Sequence, residues 1–500
     1  MIDSPIFFAG MTYLPATLGF MGCIKPKIVF PIAILTVLGI AGFSLSAIIS
    51  GFETSYKLMW VGGIEFTFDQ YTFPLLLGAS LSLLIVLSIY RDQLSHYFYQ
   101  ICLVLLTALT VSFSAQDLIS IYISLELTGF CAFILIADRN DNKSLFHSFQ
   151  YLIGGGLAML IYLIGVVQAF QFSGSFLISD LSTTTTTALC LIVAGLLTKA
   201  GIFICGLWVP NIYSHANRQS AAILSGCVTC AGVAPIARLS EGMEPIGNSM
   251  VVIGVLSAII AALYAVFERD DGRALGWSSV SQLGLAILSP SYACIYAMQH
   301  GICKTLLFTT LSSPRENNTS NEEEQTSPTN VPEWLLVTIF VIGCLSIMGH
   351  PLTAGFVTKT WLKGDIPLEA RLITSTSTLL TATVYARLIW SRVTKYKKNI
   401  SRFISKQANK KEITFGIESV ILSISGILVV IFGISYTGAY YYENIQNSLT
   451  AIVLASFLYT SVSGLQTETI VRPVTRTLDL VGAPFVVAAL LLANLFYFKI

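Results

Sequence analysis

Long apolar runs, separated by short polar punctuation, recur along this chain from residue 5 to residue 498. A run of about 18 or more apolar residues is long enough to cross roughly 30 Å of hydrocarbon as a helix. The pattern predicts helices at roughly 5–23, 28–50, 72–90, 98–114, 116–137, 144–173, 186–209, 218–240, 248–267, 275–290, 293–313, 334–363, 368–391, 414–437, 447–463 and 479–498. That amounts to about fourteen to sixteen transmembrane spans, the expected fold being an all-α integral membrane protein. Two of the predicted helices carry breakers in mid-run. LLTKAGIFICGLWVPN holds Gly201, Gly206 and Pro210; GCLSIMGHPLTAGFVTKTWLKG holds Gly349, Pro351 and Gly355. Helices broken at membrane depth release backbone groups that transporters use to line ion sites. Each break has a lysine nearby, Lys199 and Lys359. Such paired features in two halves of one chain point to an inverted repeat. SFQYLIGGG near Gln150 and AMQHGICKT near Gln299 are a second, weaker echo.

Composition excludes a soluble protein. Of 500 residues, 54% are hydrophobic and 11% charged, against about 25% charged in soluble domains. Mean hydropathy is +0.74, so the surface must face a lipid bilayer. The net charge of +1 names no partner, and nothing points to nucleic acid. MIDSPIFFAG lacks the basic region and cleavage site of a signal peptide, so the first segment is expected to be retained. Loops after odd-numbered helices hold Arg91, Arg139, Lys143, Arg269, Arg273 and the basic stretch Lys395 through Lys411. Alternate loops hold fewer cations, chiefly Lys25, Lys27, Lys57, Arg238 and Lys363. The positive-inside bias then puts the N-terminus outside and the basic loop 392–411 in the cytoplasm. That loop is read first as a topology signal, and second as a contact for anionic headgroups or a partner. The polar segment from Ser313 reads as a cytoplasmic linker.

Candidate chemistry narrows to charges inside apolar runs. Glu126 lies in LISIYISLELTGFCAFILIA and Lys199 in LCLIVAGLLTKAGIFICGL. Lys304 follows His300 by four residues, on one helical face. A lysine at mid-membrane costs about 2.5–3.5 kcal/mol on insertion scales, so it persists where it pairs or lines a wet path. Lys359 lies nearer a helix end, from which a lysine can snorkel to the interface. One reading makes Glu126–Lys199 a packing ion pair; the other makes it part of a proton or cation relay. Desolvation favours a neutral amine and a nearby carboxylate opposes this, so a moving carboxylate would drive proton uptake and release. His300 would carry a proton between Lys199 and Lys304, or else be a packed core imidazole. Most of the ten cysteines lie in apolar stretches and read as small packing residues, not a disulfide framework. Cys227 and Cys230 form a C-x-x-C inside a helix, and two thiols alone make no zinc site. Gly154–Gly156 reads as close helix packing. The sequence shows no phosphate loop, dinucleotide fingerprint, haem or iron–sulfur motif, so no cofactor, metal or catalytic residue is expected on this chain.

These residues resemble the antiporter-like membrane subunits shared by respiratory complex I, its photosynthetic relatives and Mrp-type cation/proton antiporters. Similarity runs from about Asp117 to Lys359. QDLISIYISLEL is similar to the fifth-helix motif, with the glutamate at Glu126, and LLTKAGIFICGLWVP to the seventh-helix motif, with the essential lysine at Lys199. DDGRALGWSSVSQLGLAIL, through Trp277, Ser278, Ser279, Ser281 and Gln282, resembles the family's serine-rich segment. QHGICKTLLF matches its histidine-x-x-x-lysine at His300 and Lys304, and PLTAGFVTK its twelfth-helix segment ending at Lys359. The resemblance implies about fourteen helices, two inverted five-helix repeats, and a hydrophilic axis of Glu126, Lys199, His300, Lys304 and Lys359. It implies other membrane subunits as partners in a hetero-oligomer, with protons and a monovalent cation as cargo, in a bacterial inner or thylakoid-type membrane. Divided on it, the chain has N-terminal helices (1–115), an antiporter-like core (116–367) and C-terminal helices with the basic loop (368–500). One departure stands out. The family's eighth-helix lysine is Cys230 here, in SGCVTCAGV. Pro210-Asn211 and the following Ala216-Asn217-Arg218-Gln219 also depart from the family's pattern after the seventh helix. The first expectation is a proton-translocating subunit of an Mrp-type Na+/proton antiporter. The second is a pumping subunit of a complex I-like NAD(P)H:quinone oxidoreductase, and the third a transport-inactive scaffold.

Overall fold

A computed structural model describes residues 5–59, 64–138, 141–311, 331–405 and 416–462. The predicted polar linker falls largely, and the last predicted helix entirely, outside these described residues. Helices α1 (Pro5–Ile24) and α2 (Val29–Ser50) precede a β-hairpin, β1 (Thr54–Met59) and β2 (Ile64–Phe68). Helices α3 (Thr72–Ile89), α4 (His96–Ser114), α5 (Leu118–Ile136), α6 (Asn142–Ser173), α7 (Thr186–Ala200) and α8 (Trp208–His215) follow. Next come α9 (Arg218–Gly242), α10 (Glu244–Phe267), α11 (Asp271–Ala286) and α12 (Pro290–Thr310). The series ends with α13 (Glu333–Met348), α14 (Ala354–Asp365), α15 (Leu368–Ser405), α16 (Ile417–Ser435) and α17 (Tyr442–Val462).

The chain is an all-α integral, multi-pass membrane protein. Eight helices among the described residues are long and apolar enough to cross a membrane. α9 is wholly buried and α3 nearly so, whereas α2, α6, α10 and α16 leave broad apolar flanks outward for lipid. The less apolar α11 and α12 are buried along most of their length, and polar side chains of α11 bond to α12 and to α15, which leaves Leu368, Leu372 and Trp390 exposed.

Two five-helix units repeat, α4 to α9 and α10 to α15, and in each the fourth helix is broken into two pieces, α7 with α8 and α13 with α14. α7 ends at Gly201, φ 67°, and α13 at Gly349, φ 83°. Left-handed backbone there costs glycine nothing, and the same two closing bonds form at both ends. Gly201 N–H donates to the Thr198 carbonyl (3.2 Å) and Ile202 N–H to that of Leu197 (3.0 Å). Gly349 N–H donates to Ser346 (3.0 Å) and His350 N–H to Leu345 (2.9 Å). Because each unit crosses the membrane an odd number of times, the second enters from the opposite side, so the repeats are inverted.

Three features differ from the sequence expectation. Residues 54–68, left unassigned, form the antiparallel hairpin, with Thr54 opposite Phe68 and Tyr56 opposite Phe66. Its alternation sends Tyr56, Phe66 and Phe68 to one face, against Phe8 of α1 (Phe8–Phe68 centroids 5.0 Å). The basic segment 392–411 is not a loop over its described part. α15 runs on through Ser405, since Lys and Arg are good helix formers and neither Gly nor Pro interrupts 368–405. Arg238 is not a loop cation either: it is buried on α9, paired with Asp69 at the head of α3.

Candidate functional site

Glu126 comes from the middle of α5, whose first turn is capped by Asp117 accepting the Ser120 N–H at 2.7 Å. Lys199 is in the last turn of α7, where the carbonyl end of a helix favours a cation. Thr185 caps the other end of α7 through the Ala188 N–H. Lys199 Nζ lies 3.4 Å from Glu126 Oε1. The pair is lopsided: the Lys199 side chain is 7% exposed and that of Glu126 38%. Glu126 shares its face of α5 with outward-facing Ile123, Leu127 and Phe130.

Two glycines make room for the ammonium. A Cβ at Gly129, one turn beyond Glu126, would stand 2.7 Å from Lys199 Nζ, and one at Gly155 of α6 would stand 3.4 Å away. The glycine run in α6 thus does more than let helices pack: it admits a charge. Beyond the break, the Trp208 indole donates to the Thr198 carbonyl at 2.9 Å, satisfying the open end of α7, and packs on Tyr151 (centroids 4.9 Å).

The second unit holds the other sites. Lys304 is fully buried and donates to the Leu275 carbonyl at 2.6 Å, 5.6 Å from the Tyr385 ring centroid. Tyr385 and Ser278 share a 2.8 Å hydrogen bond, and Gln282 joins Tyr296 (2.7 Å) to Thr381 (3.2 Å). The serine-rich segment of α11 is therefore a polar seam against α12 and α15. His300 is 1% exposed, and neither ring nitrogen has a hydrogen-bond partner among the described residues. Lys359 does not snorkel. It is buried and donates to the Ile347 carbonyl at 2.6 Å, turning back from α14 onto the end of α13. Ile347 holds the same place before its glycine, two residues back, as Lys199 does before Gly201.

Only Glu126 and Lys199 are in direct contact; His300 and Lys304 share a face of α12, and Lys359 stands apart on α14. Cys230 is buried on α9 with Sγ 3.7 Å from the Ala297 carbonyl, one turn before His300. α9 is distorted there, with a π turn over Leu224–Val228 and a 3-10 turn over Thr229–Gly232. The crossing with α12 is tight: a Cβ on Gly301 would meet the Gly226 carbonyl at 2.7 Å. π turns inside helices are frequent at functional sites. Sequence reasoning did not foresee the distortion, the Gly129 niche, Tyr385 or Trp208. The glycine one turn from a buried glutamate was the available signal.

All ten cysteines are unpaired. Asp69–Arg238 is a different kind of pair. Arg238 grips the carboxylate with two bonds, 2.6 and 2.9 Å, and adds Thr72 Oγ1 and the Phe113 carbonyl. Asp69 also accepts the backbone N–H groups of Tyr71 (3.0 Å) and Thr72 (3.1 Å). This knot ties β2, α3, α4 and α9 together.

The family described as NADH:quinone oxidoreductase/Mrp antiporter, TM, matches residues 115–388. NADH-quinone oxidoreductase subunit N of Desulforudis audaxviator is 27% identical over 60% of this chain and 65% of that protein. Subunit N of Francisella tularensis is 25% identical over 78% of this chain and 88% of its own length. The chain covers 65%, 52% and 65% of three such curated relatives, short of two thirds of each. In fold it is similar to a chain of the Mrp complex from Dietzia sp., TM-score 0.70 at 17% identity, covering 94% of this chain and 99% of that one. A chain of respiratory complex I from Thermus thermophilus gives TM-score 0.69 at 18% identity, covering 90% and 99%. With more than half its length inside the family match, this chain belongs to the NADH:quinone oxidoreductase/Mrp antiporter transmembrane family.

Proposed function

We propose that this chain is a proton-translocating membrane subunit of a complex I-like NAD(P)H:quinone oxidoreductase, whose redox chemistry lies on other chains. The observation that carries translocation is the Glu126–Lys199 contact: one 3.4 Å approach between a buried ammonium and a half-exposed carboxylate. An ion pair held by a single contact is easily separated, and an ammonium left alone in a low-dielectric surrounding sheds its charge most cheaply as a proton. Separation of the pair releases a proton and re-formation takes one up. His300, Lys304 and Lys359 continue the relay through the second unit, with Lys304 and Lys359 resting on backbone carbonyls between transfers.

The sequence alone put the Mrp antiporter first. The curated relatives favour the redox-driven complex, since they are named as NADH-quinone oxidoreductase subunits N and, in Lemna minor, as a chloroplastic NAD(P)H-quinone oxidoreductase subunit 5. The two folds match equally well and do not separate the readings. The partners we propose are other membrane subunits of such an assembly, in a bacterial or thylakoid-type membrane.

Purification of the tagged chain from native membranes in mild detergent, with mass spectrometry of what accompanies it, tests this. Redox subunits are expected. Small Mrp-type membrane proteins would replace the reading with the antiporter, and a solitary chain would favour the scaffold reading that Cys230 permits.

A further inference from the structure

The two breaks are braced alike, each by a hydroxyl from outside its own unit. At the first, Ser257 of α10 accepts the Phe203 N–H at 3.1 Å and donates to the Val280 carbonyl of α11 at 2.9 Å. At the second, Tyr440, between α16 and α17, accepts the Leu352 N–H at 3.1 Å and donates to the Gly433 carbonyl of α16 at 2.8 Å. In both places one hydroxyl takes an N–H of the break and passes its own hydrogen to a carbonyl nearby. Both bracing segments follow in the chain the unit they brace, α10 after α9 and α16–α17 after α15.

The second brace holds a strained turn. Leu352 has φ 73°, a left-handed conformation that is costly for a residue with a Cβ and persists only where its surroundings impose it. Its side chain is 54% exposed, so burial does not offset that cost. The backbone around it is gripped instead. Ser448 of α17 donates to the Gly349 carbonyl at 2.6 Å. Gly433 lies so close that a Cβ on it would stand 2.5 Å from the Thr353 backbone. The Tyr440 ring packs on Phe356 in the first turn of α14 (centroids 5.0 Å). This turn decides where Lys359 sits. Its ammonium donates to the Ile347 carbonyl at 2.6 Å, one of the carbonyls left open at the end of α13. Its stem runs beside Gly349, where a Cβ would stand 3.0 Å from Lys359 Cδ. Ile347 is on one side of the break and Lys359 on the other, so the path of residues 349–353 sets their distance.

We propose that Tyr440 and Ser448 are positioning residues for Lys359, their hydroxyls holding the second break in the turn that offers the Ile347 carbonyl to the ammonium. The inference rests on the translocation reading above, in which Lys359 continues the relay. Both residues act through the backbone, Tyr440 on the Leu352 N–H and Ser448 on the Gly349 carbonyl. Without the two hydroxyls Leu352 leaves its left-handed conformation, the break takes another turn, and the Ile347 carbonyl moves away from the ammonium. The helices that follow the two repeats thereby act on the relay without supplying a charge to it.

The test is proton pumping by sealed membrane vesicles holding the whole complex, read per quinone reduced, with the assembled complex quantified. Tyr440→Phe keeps the ring on Phe356 and removes only the hydroxyl; Ser448→Ala removes the other. The double variant is expected to pump about threefold fewer protons per quinone, or fewer still, while its uncoupled redox turnover stays near the wild type. A role in assembly alone would lower both together and leave the ratio as it was. Ser448→Thr, which keeps a hydroxyl, is expected to pump near the wild type. Amide hydrogen exchange over residues 349–355 is expected to quicken in the double variant. An unchanged ratio, unchanged exchange, a threonine variant as impaired as Ser448→Ala, or loss of assembly in the double variant overturns the proposal. Lys359→Met in the same vesicles separates the two levels. If it pumps as the wild type, the relay through Lys359 fails. If it stops while the double variant pumps as the wild type, only the brace does.

Discussion

Two ion pairs join distant helices of this molecule, and they differ in how firmly each is held. Asp69–Arg238 is bidentate, the Asp69 carboxylate accepts two backbone N–H groups besides, and Arg238 Nη2 takes a hydroxyl and a backbone carbonyl as further partners. Glu126–Lys199 is one contact of 3.4 Å, with a glycine-walled niche around the ammonium and a partly exposed glutamate on the other side. A buried charge held by several bonds is expensive to move, whereas a charge with one partner can exchange it. On the proposed translocation reading, bond count and exposure separate a clasp from a switch, without appeal to position in the chain.

The comparison breaks most visibly at the clasp. Arg238→Met leaves Asp69 charged and buried, and should cost about 3–5 kcal/mol. The expected result is a large drop in assembled protein and in melting temperature in detergent; a variant as stable as wild type would make the two pairs equivalent. Next in size is Lys304→Met, which removes the ammonium that bonds the Leu275 carbonyl and faces Tyr385. Proton transport should fall at least about tenfold while assembly persists, as checked by pumping rate per assembled complex. Gly129→Ala crowds Lys199 Nζ without touching any charge. Transport should fall about threefold, with a stability change of about 1 kcal/mol or less. Smallest is Cys230→Lys, which restores a bridging charge between the two units. Transport is expected within about twofold of wild type, or above it; a block would mean that the π turn of α9 leaves a passage for water that the lysine fills.

Much of this was legible in the sequence, because charge is costly in a bilayer and so is conspicuous there. Glu126, Lys199 and Lys304 were picked out that way, and His300 and Lys359 joined them through the family resemblance; the structure buries all but Glu126. The two broken helices were legible from Gly201 and Gly349. What escaped depended on neighbours that are distant in sequence. Arg238 looked like a loop cation because Asp69, its partner, lies 169 residues earlier. Gly129 and Gly155 gain their meaning only from the ammonium of a third helix. The hairpin, with its alternating Phe66 and Phe68, was readable by period and was passed over among longer apolar runs. The end of the basic segment's helix was missed because its charges were read as loop when they are also good helix formers.

The most direct test of the account is proton translocation coupled to quinone reduction in Glu126→Gln and Lys199→Ala, measured in sealed vesicles with the assembled complex quantified in parallel. Both variants are expected to insert, assemble and melt near the wild type, since the pair is a single contact, and both are expected to lose pumping. Near wild-type pumping in both would contradict the relay, and collapse of assembly in both would make Glu126–Lys199 a clasp like Asp69–Arg238.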